Sequence, residues 1–338
     1  MEKTQQKQRI PEMDVMKGIL GILVIMGHIF YIEADASGVQ PTGRAFYCLS
    51  TVVAAWIAPY YMAAFFFVTG YCSSFKSGIK AQLISDAKHL LLPVILIPCI
   101  MHEVSSLLLG NGFVWPFTAA PWYLWFLWAL FWAKFIFWVM KHVVKSESIA
   151  WLLLTIMSVV GSAMMYYIPQ YNYLGCQQAL VFAIFIAIGH AMKDVELKPS
   201  VLYAAIIIYV LTVIASYYCL RWGAPSVCSF ITFIPQKWPL YFLLATSGIM
   251  SVYQISKWLK GSKVLQYTGK HTLILYLVHL TFLRVVTTYL KPQIAEYYDN
   301  SYFQSSYFVL MTLGALLWSC LWAELLNSRY LKWILGKW

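Results

Sequence analysis

The sequence predicts an all-α fold: a polytopic integral membrane protein built as a single bundle of about ten transmembrane helices. Three observations predict it. First, 61% of the 338 residues are hydrophobic and only 11% are charged, whereas soluble chains carry about 45–50% apolar and ~25% charged residues. Mean hydropathy is +0.68. Second, the chain holds roughly ten apolar stretches of the size that a spanning helix needs, about 20 residues each. Third, the lysines and arginines of the connecting segments alternate in density from one loop to the next. This composition excludes an ordinary soluble domain, a disordered chain and a nucleic-acid-binding protein.

The elements follow in order. Residues 1–14 are polar and read as a cytoplasmic tail. Apolar spans then lie near 15–31, 50–72, 90–109, 122–141, 149–168, 178–192, 200–220, 231–255, 270–290 and 304–326. They make one membrane domain over 15–326, and residues 327–338 form a second tail. The spans at 15–31 and 178–192 are short, which suits tilted neighbours or a thin stretch of membrane. Sorted alternately, one set of connections holds seventeen basic residues, from Lys3 and Lys7 through Lys141 and Lys145 to Lys337. The other set holds four: Arg44, Arg221, Lys237 and Lys291. Positive charge stays on the cytoplasmic side, so both termini are placed there, in a cell (inner) membrane. An alternative reads the first span as a signal peptide, with Ala34-Asp35-Ala36 as the cleavage site. Against it, that span carries His28 and opens on Lys17, which a disposable segment has no reason to hold. The seven cysteines show no C-x-x-C pair and read as small buried hydrophobes, with Cys219 and Cys228 able to pair outside the membrane.

Ionisable groups inside spans are costly and are candidates for function. Lys17 and His28 are eleven residues apart, about three turns, so both face one side of the first helix, ~16 Å apart along its axis. Gly18, Gly21 and Gly27 let a neighbouring helix or a ligand approach that side. A cation near the mouth and an imidazole deeper in suit a long anionic ligand threading inward through a continuous groove. The bland alternative is a snorkelling Lys17 and a His28 that bonds a neighbouring helix. Glu103 and His102 fall at nearly the depth of His28 and could orient it, or pair with each other instead. Glu33 and Asp35 lie just beyond the first helix. His279 sits near mid-membrane and Arg284 higher, toward the outside. Lys134 and Glu324 sit near cytoplasmic helix ends and read as snorkelling. No cluster of residues suggests a metal site.

Several segments are bland alone and informative in order. Lys17 and His28 open the series. Phe66-Phe67-Val68-Thr69-Gly70-Tyr71 follows, then Lys88 before a leucine run and Pro93, then Trp125-Phe126-Leu127. Gly269, Thr272, Leu273, Tyr276, Leu277 and His279 close it. Together they resemble the membrane acyltransferase family 3, closest in flavour to the fucose 4-O-acetylase-like sugar O-acetyltransferases. The resemblance spans nearly the whole chain. It departs where the family often has two arginines before the Leu-Pro stretch and this chain has Lys80, Lys88 and His89. No extra soluble domain follows the bundle, unlike some members.

The resemblance implies an acyl-CoA donor, most often acetyl-CoA, and a hydroxyl of a surface glycan, glycan precursor or glycolipid as acceptor. Lys17 and Lys88 would pair with the donor's phosphates as point charges, with Trp125 and His279 also on the donor. The pantetheine arm is long enough to carry the thioester from Lys17 to His28. His28 would then act as general base, or as an acylated intermediate. Arg284, Glu33 and Asp35 are left for the acceptor or the oxyanion. Two other classes stay open: a proton-coupled transporter or flippase of a glycan or lipid precursor, and a non-catalytic membrane scaffold.

Overall fold

A computed structural model describes residues 9–37, 56–75, 78–112, 124–215, 238–294, 297 and 300–337. The described residues are almost entirely helical, because a backbone surrounded by lipid must satisfy its own hydrogen bonds. A helix lies on each of the ten apolar stretches. α1 is Pro11–Ser37 and α2 is Tyr61–Cys72. α3 (Ile79–Asp86) runs through a π-helical turn, Ala87–Leu91, into α4 (Leu92–Leu108). α5 is Trp125–Val143, α6 Glu147–Tyr167, α7 Cys176–Ala191, α8 Pro199–Ile214 and α9 Trp238–Trp258. α10 is Lys263–Lys270, α11 Thr272–Ile294 and α12 Ser301–Asn327, followed by a 3-10 turn at Lys332–Leu335. By length and composition, six helical segments among the described residues can cross a membrane: Ile79–Leu108, Trp125–Val143, Glu147–Tyr167, Tyr173–Asp194, Thr272–Leu290 and Tyr302–Asn327. α2 and α8 are apolar but shorter.

The first span is not short, since α1 runs over 27 residues, and two further boundaries move for physical reasons. The run at 270–290 begins as two helices, broken at His271. α10 is capped by Ser262, whose hydroxyl accepts from the Leu265 amide. It carries Lys263, Gln266 and Lys270, a polar set that keeps it at the end of the bundle. The stretch near 178–192 starts earlier, at Cys176, after a left-handed Gly175 that bends the chain closely past Trp125 and Ala129.

α1 is the hub: α2, α9, α10, α11 and α12 all pack on it. A cleaved first segment would remove the centre of this bundle. Two crossings depend on missing side chains. A Cβ on Gly269 would collide with the Asp14 carbonyl, and one on Gly18 with the Leu265 carbonyl, so α1 and α10 touch backbone to backbone. Gly70 and Gly189 do the same for α2 and α7, against the carbonyls of Ile186 and Phe67. Phe66, Phe67, Phe182, Phe185 and Tyr241 fill the interior beside them.

Lys134 does not snorkel. It is buried and ion-paired with Asp86, which also accepts from Gln82 at 2.7 Å. A buried cation left unpaired would be far more costly than a paired one. Glu324 accepts a hydrogen bond from the Tyr267 hydroxyl instead of reaching for solvent alone. Cys99, Cys176 and Cys320 are free thiols, while Cys219 and Cys228 lie outside the described residues.

Candidate functional site

The site is built where α1 meets α11. Gly21 of α1 touches Thr272 and Leu275 of α11. Seven residues further on, the His28 ring meets the His279 ring edge-on, with centroids 4.9 Å apart and planes at 68°. The Thr272 hydroxyl reaches the Lys17 carbonyl at 3.4 Å. Lys17, Gly21 and His28 thus run along one side of α1, the side facing α10 and α11.

Each imidazole is tied to its own helix. His28 Nδ1 lies 2.8 Å from the Val24 carbonyl, and His279 Nδ1 lies 2.8 Å from the Leu275 carbonyl. A carbonyl only accepts, so Nδ1 carries the proton in both rings and Nε2 keeps its lone pair. His279 is fully buried, and its Nε2 has no hydrogen-bond partner among the described residues. His28 is partly exposed. The pair therefore brings two imidazoles with free Nε2 lone pairs together, the His279 nitrogen sealed inside the bundle.

An aromatic wall joins this pair to the other sequence motifs. Tyr276 lies 6.2 Å from His279, Phe126 lies 5.2 Å from Tyr276, and Phe66 lies 5.4 Å from Phe126. Phe182 stacks on Phe66 at 4.8 Å and on Trp125 at 6.2 Å. Four segments far apart in sequence thus converge on one packed surface ending at the histidines. Trp125 itself begins α5, the end opposite Lys141, so it sits far from the basic mouth.

That mouth is a pocket of about 220 Å³ lined by Arg9, Ile10, Met13, Asp14, Lys17, Cys72 and Lys270. Three cations face one carboxylate there, and Lys17 Nζ holds Asp14 at 2.6 Å. Around it the Tyr267 hydroxyl is pushed up to about 12, by burial first and by its bond to Glu324 second. Lys337, whose ammonium reaches the Asn327 amide oxygen at 2.7 Å, is pushed down by burial and by Arg9. The pocket's lining includes Lys17 and not His28. At Gly21, between the two levels, a Cβ would meet the Thr272 and Leu275 side chains of α11 at ordinary contact distance.

The remaining candidates are spread out. Lys88 is exposed on the π-helical turn, against Gly336, and does not line the basic pocket. Arg9 and Lys270 are the cations beside Lys17. α4 packs against α11, and the Tyr289 hydroxyl donates to the Leu108 carbonyl at its end. This sets Glu103 and His102 beside the stretch of α11 that carries His279 and Arg284. Buried Glu103 Oε1 and His102 Nε2 have no hydrogen-bond partner among the described residues. The ring contact of His28 is with His279, not with His102. Arg284 is exposed. Glu33 and Asp35 fall in the last turns of α1, and their side chains lie outside the described residues. Lys270 and Arg9 were not singled out from sequence, although Lys270 stands inside the quoted Gly269–His279 motif and Arg9 in the basic start. No group of three or more His, Cys, Asp or Glu able to hold a metal occurs among the described residues.

A family model described as an acyltransferase domain, that of the membrane acyltransferase family 3, matches residues 10–324. No curated relative and no solved structure matches the chain.

Proposed function

The chain belongs to the membrane acyltransferase family 3, and we propose that it moves an acetyl group from acetyl-CoA to a hydroxyl of a surface glycan, glycan precursor or glycolipid. The observation that carries the reading is the His28–His279 contact, which sets two Nδ1-protonated imidazoles side by side inside the bundle. His28 Nε2 takes the proton of the acceptor hydroxyl, and the oxygen attacks the thioester carbon. A C–O bond forms, the tetrahedral adduct collapses, the C–S bond breaks, and the leaving thiolate takes the proton back from the imidazolium. His279 is a positioning residue that backs the His28 ring.

The donor's phosphates sit on Arg9, Lys17 and Lys270, whose excess positive charge supports an anionic ligand. Lys17 lies ~16 Å from His28 along α1, comparable with an extended pantetheine arm. The arm runs along the side of α1 that faces α11. The excess of lysine and arginine at this end supports placing it, with both termini, in the cytoplasm, where acyl-CoA is made. In this reading the protein resides in the cell's inner membrane.

The test uses the purified full-length protein with acetyl-CoA labelled in the acetyl group. The reading expects saturable binding and slow release of free thiol, accelerated by the right acceptor. Movement of a solute across vesicles with no binding of acetyl-CoA would overturn it in favour of transport.

A further inference from the structure

A second cavity, of about 320 Å³, lies between α5 and α6 above α7. α5 and α6 each pack along α7 and touch each other only slightly, which leaves a cleft open between them. Its walls divide by chemistry. Met140, Trp151 and Leu154 are apolar, whereas Lys141, Lys145 and His190 supply the basic part of the lining. Lys141 Nζ is 2.7 Å from His190 Nε2 and donates to the Ser74 carbonyl at 3.4 Å, so one cation is held at the floor. Lys145 is exposed and makes no hydrogen bond or ion pair among the described residues, and the same holds for Glu147 at the rim. The apolar side continues outward: Val143, Ile149 and Leu152 are 65%, 52% and 59% exposed. They flank α5 and α6, two of the helices able to cross a membrane.

A soluble anion would use the lysines and leave the apolar wall wet. An uncharged lipid would use the wall and ignore the lysines. One class of ligand uses both at once, an amphiphile with a phosphate head and acyl chains. We propose that this cleft binds the phosphate headgroup of an anionic phospholipid from the leaflet at the basic end of the bundle. The phosphate sits on Lys141 and Lys145, and the chains lie along the exposed apolar flank of α5 and α6. Glu147 opposes the phosphate and tunes its affinity downward.

The test titrates the delipidated full-length protein with phosphatidylglycerol, with phosphatidylcholine and with inorganic phosphate, counting bound lipid by native mass spectrometry. The expected result is a preference for phosphatidylglycerol that Lys145→Gln weakens about fivefold and Glu147→Gln strengthens by a similar factor. Both variants spare the Lys141–His190 contact, so elution and thermal unfolding stay as in the wild type. Inorganic phosphate displaces no lipid at equal concentration. Equal retention of phosphatidylcholine would overturn the proposal. So would an unchanged phosphatidylglycerol affinity in Lys145→Gln, or displacement of the lipid by inorganic phosphate.

Discussion

The basic mouth and the histidine pair sit on the same side of α1 and solve opposite electrostatic problems. At the mouth, Arg9, Lys17 and Lys270 line one open pocket, and Asp14 lies 2.6 Å from Lys17. Inside the bundle, His28 and His279 have no ion-pair partner among the described residues. Each donates Nδ1–H to a carbonyl one turn back and keeps Nε2 as a base. Charge attracts a ligand where water can support it; a neutral base works where water cannot. In the proposed reading, the division separates binding from chemistry by roughly three helical turns.

Mutations break or sharpen this comparison in a graded way. His28→Ala lowers transfer about 100-fold or more, because a general base contributes at least that much; turnover of acetyl-CoA in detergent checks it. His279→Ala lowers kcat about tenfold and leaves KM for the donor unchanged, because a ring that has lost its backing misplaces its nitrogen. A role in packing alone would lower thermal stability instead and keep activity per folded molecule. At the mouth, Lys17→Ala and Lys270→Ala each raise the donor's KM about fivefold with kcat unchanged. The rise shrinks in high salt, since those charges are screened, and Asp14→Asn shifts KM the other way.

The smallest effect concerns Tyr267. Its folded pKa lies above the unfolded value near 10. The stability it contributes is therefore complete below pH 10 and lost as pH rises toward about 12. The Tm difference between wild type and Tyr267→Phe is largest at neutral pH and closes over that window.

The helical, membrane-spanning character was legible because run length and hydropathy are local properties, and lipid leaves the backbone no other structure. The break at His271 was less legible. It depends on Gly269 admitting the Asp14 carbonyl, a contact between residues 255 positions apart. The Asp86–Lys134 pair was hidden for the same reason, since nothing near Lys134 in sequence announces its acid. His28 and His279 were both visible as costly intramembrane groups, but their meeting was not, since periodicity orients a side chain on its helix without naming the helix opposite. Lys88 shows the converse. A motif placed it with the donor's phosphates; the π-helical turn leaves it exposed, outside the lining of the pocket that holds Arg9 and Lys270.

The division of labour is tested most directly by equilibrium binding of labelled acetyl-CoA to His28→Ala. The account predicts a Kd equal to that of the wild type together with no transfer to acceptor. Loss of binding in that variant, or transfer at the wild-type rate, would contradict it.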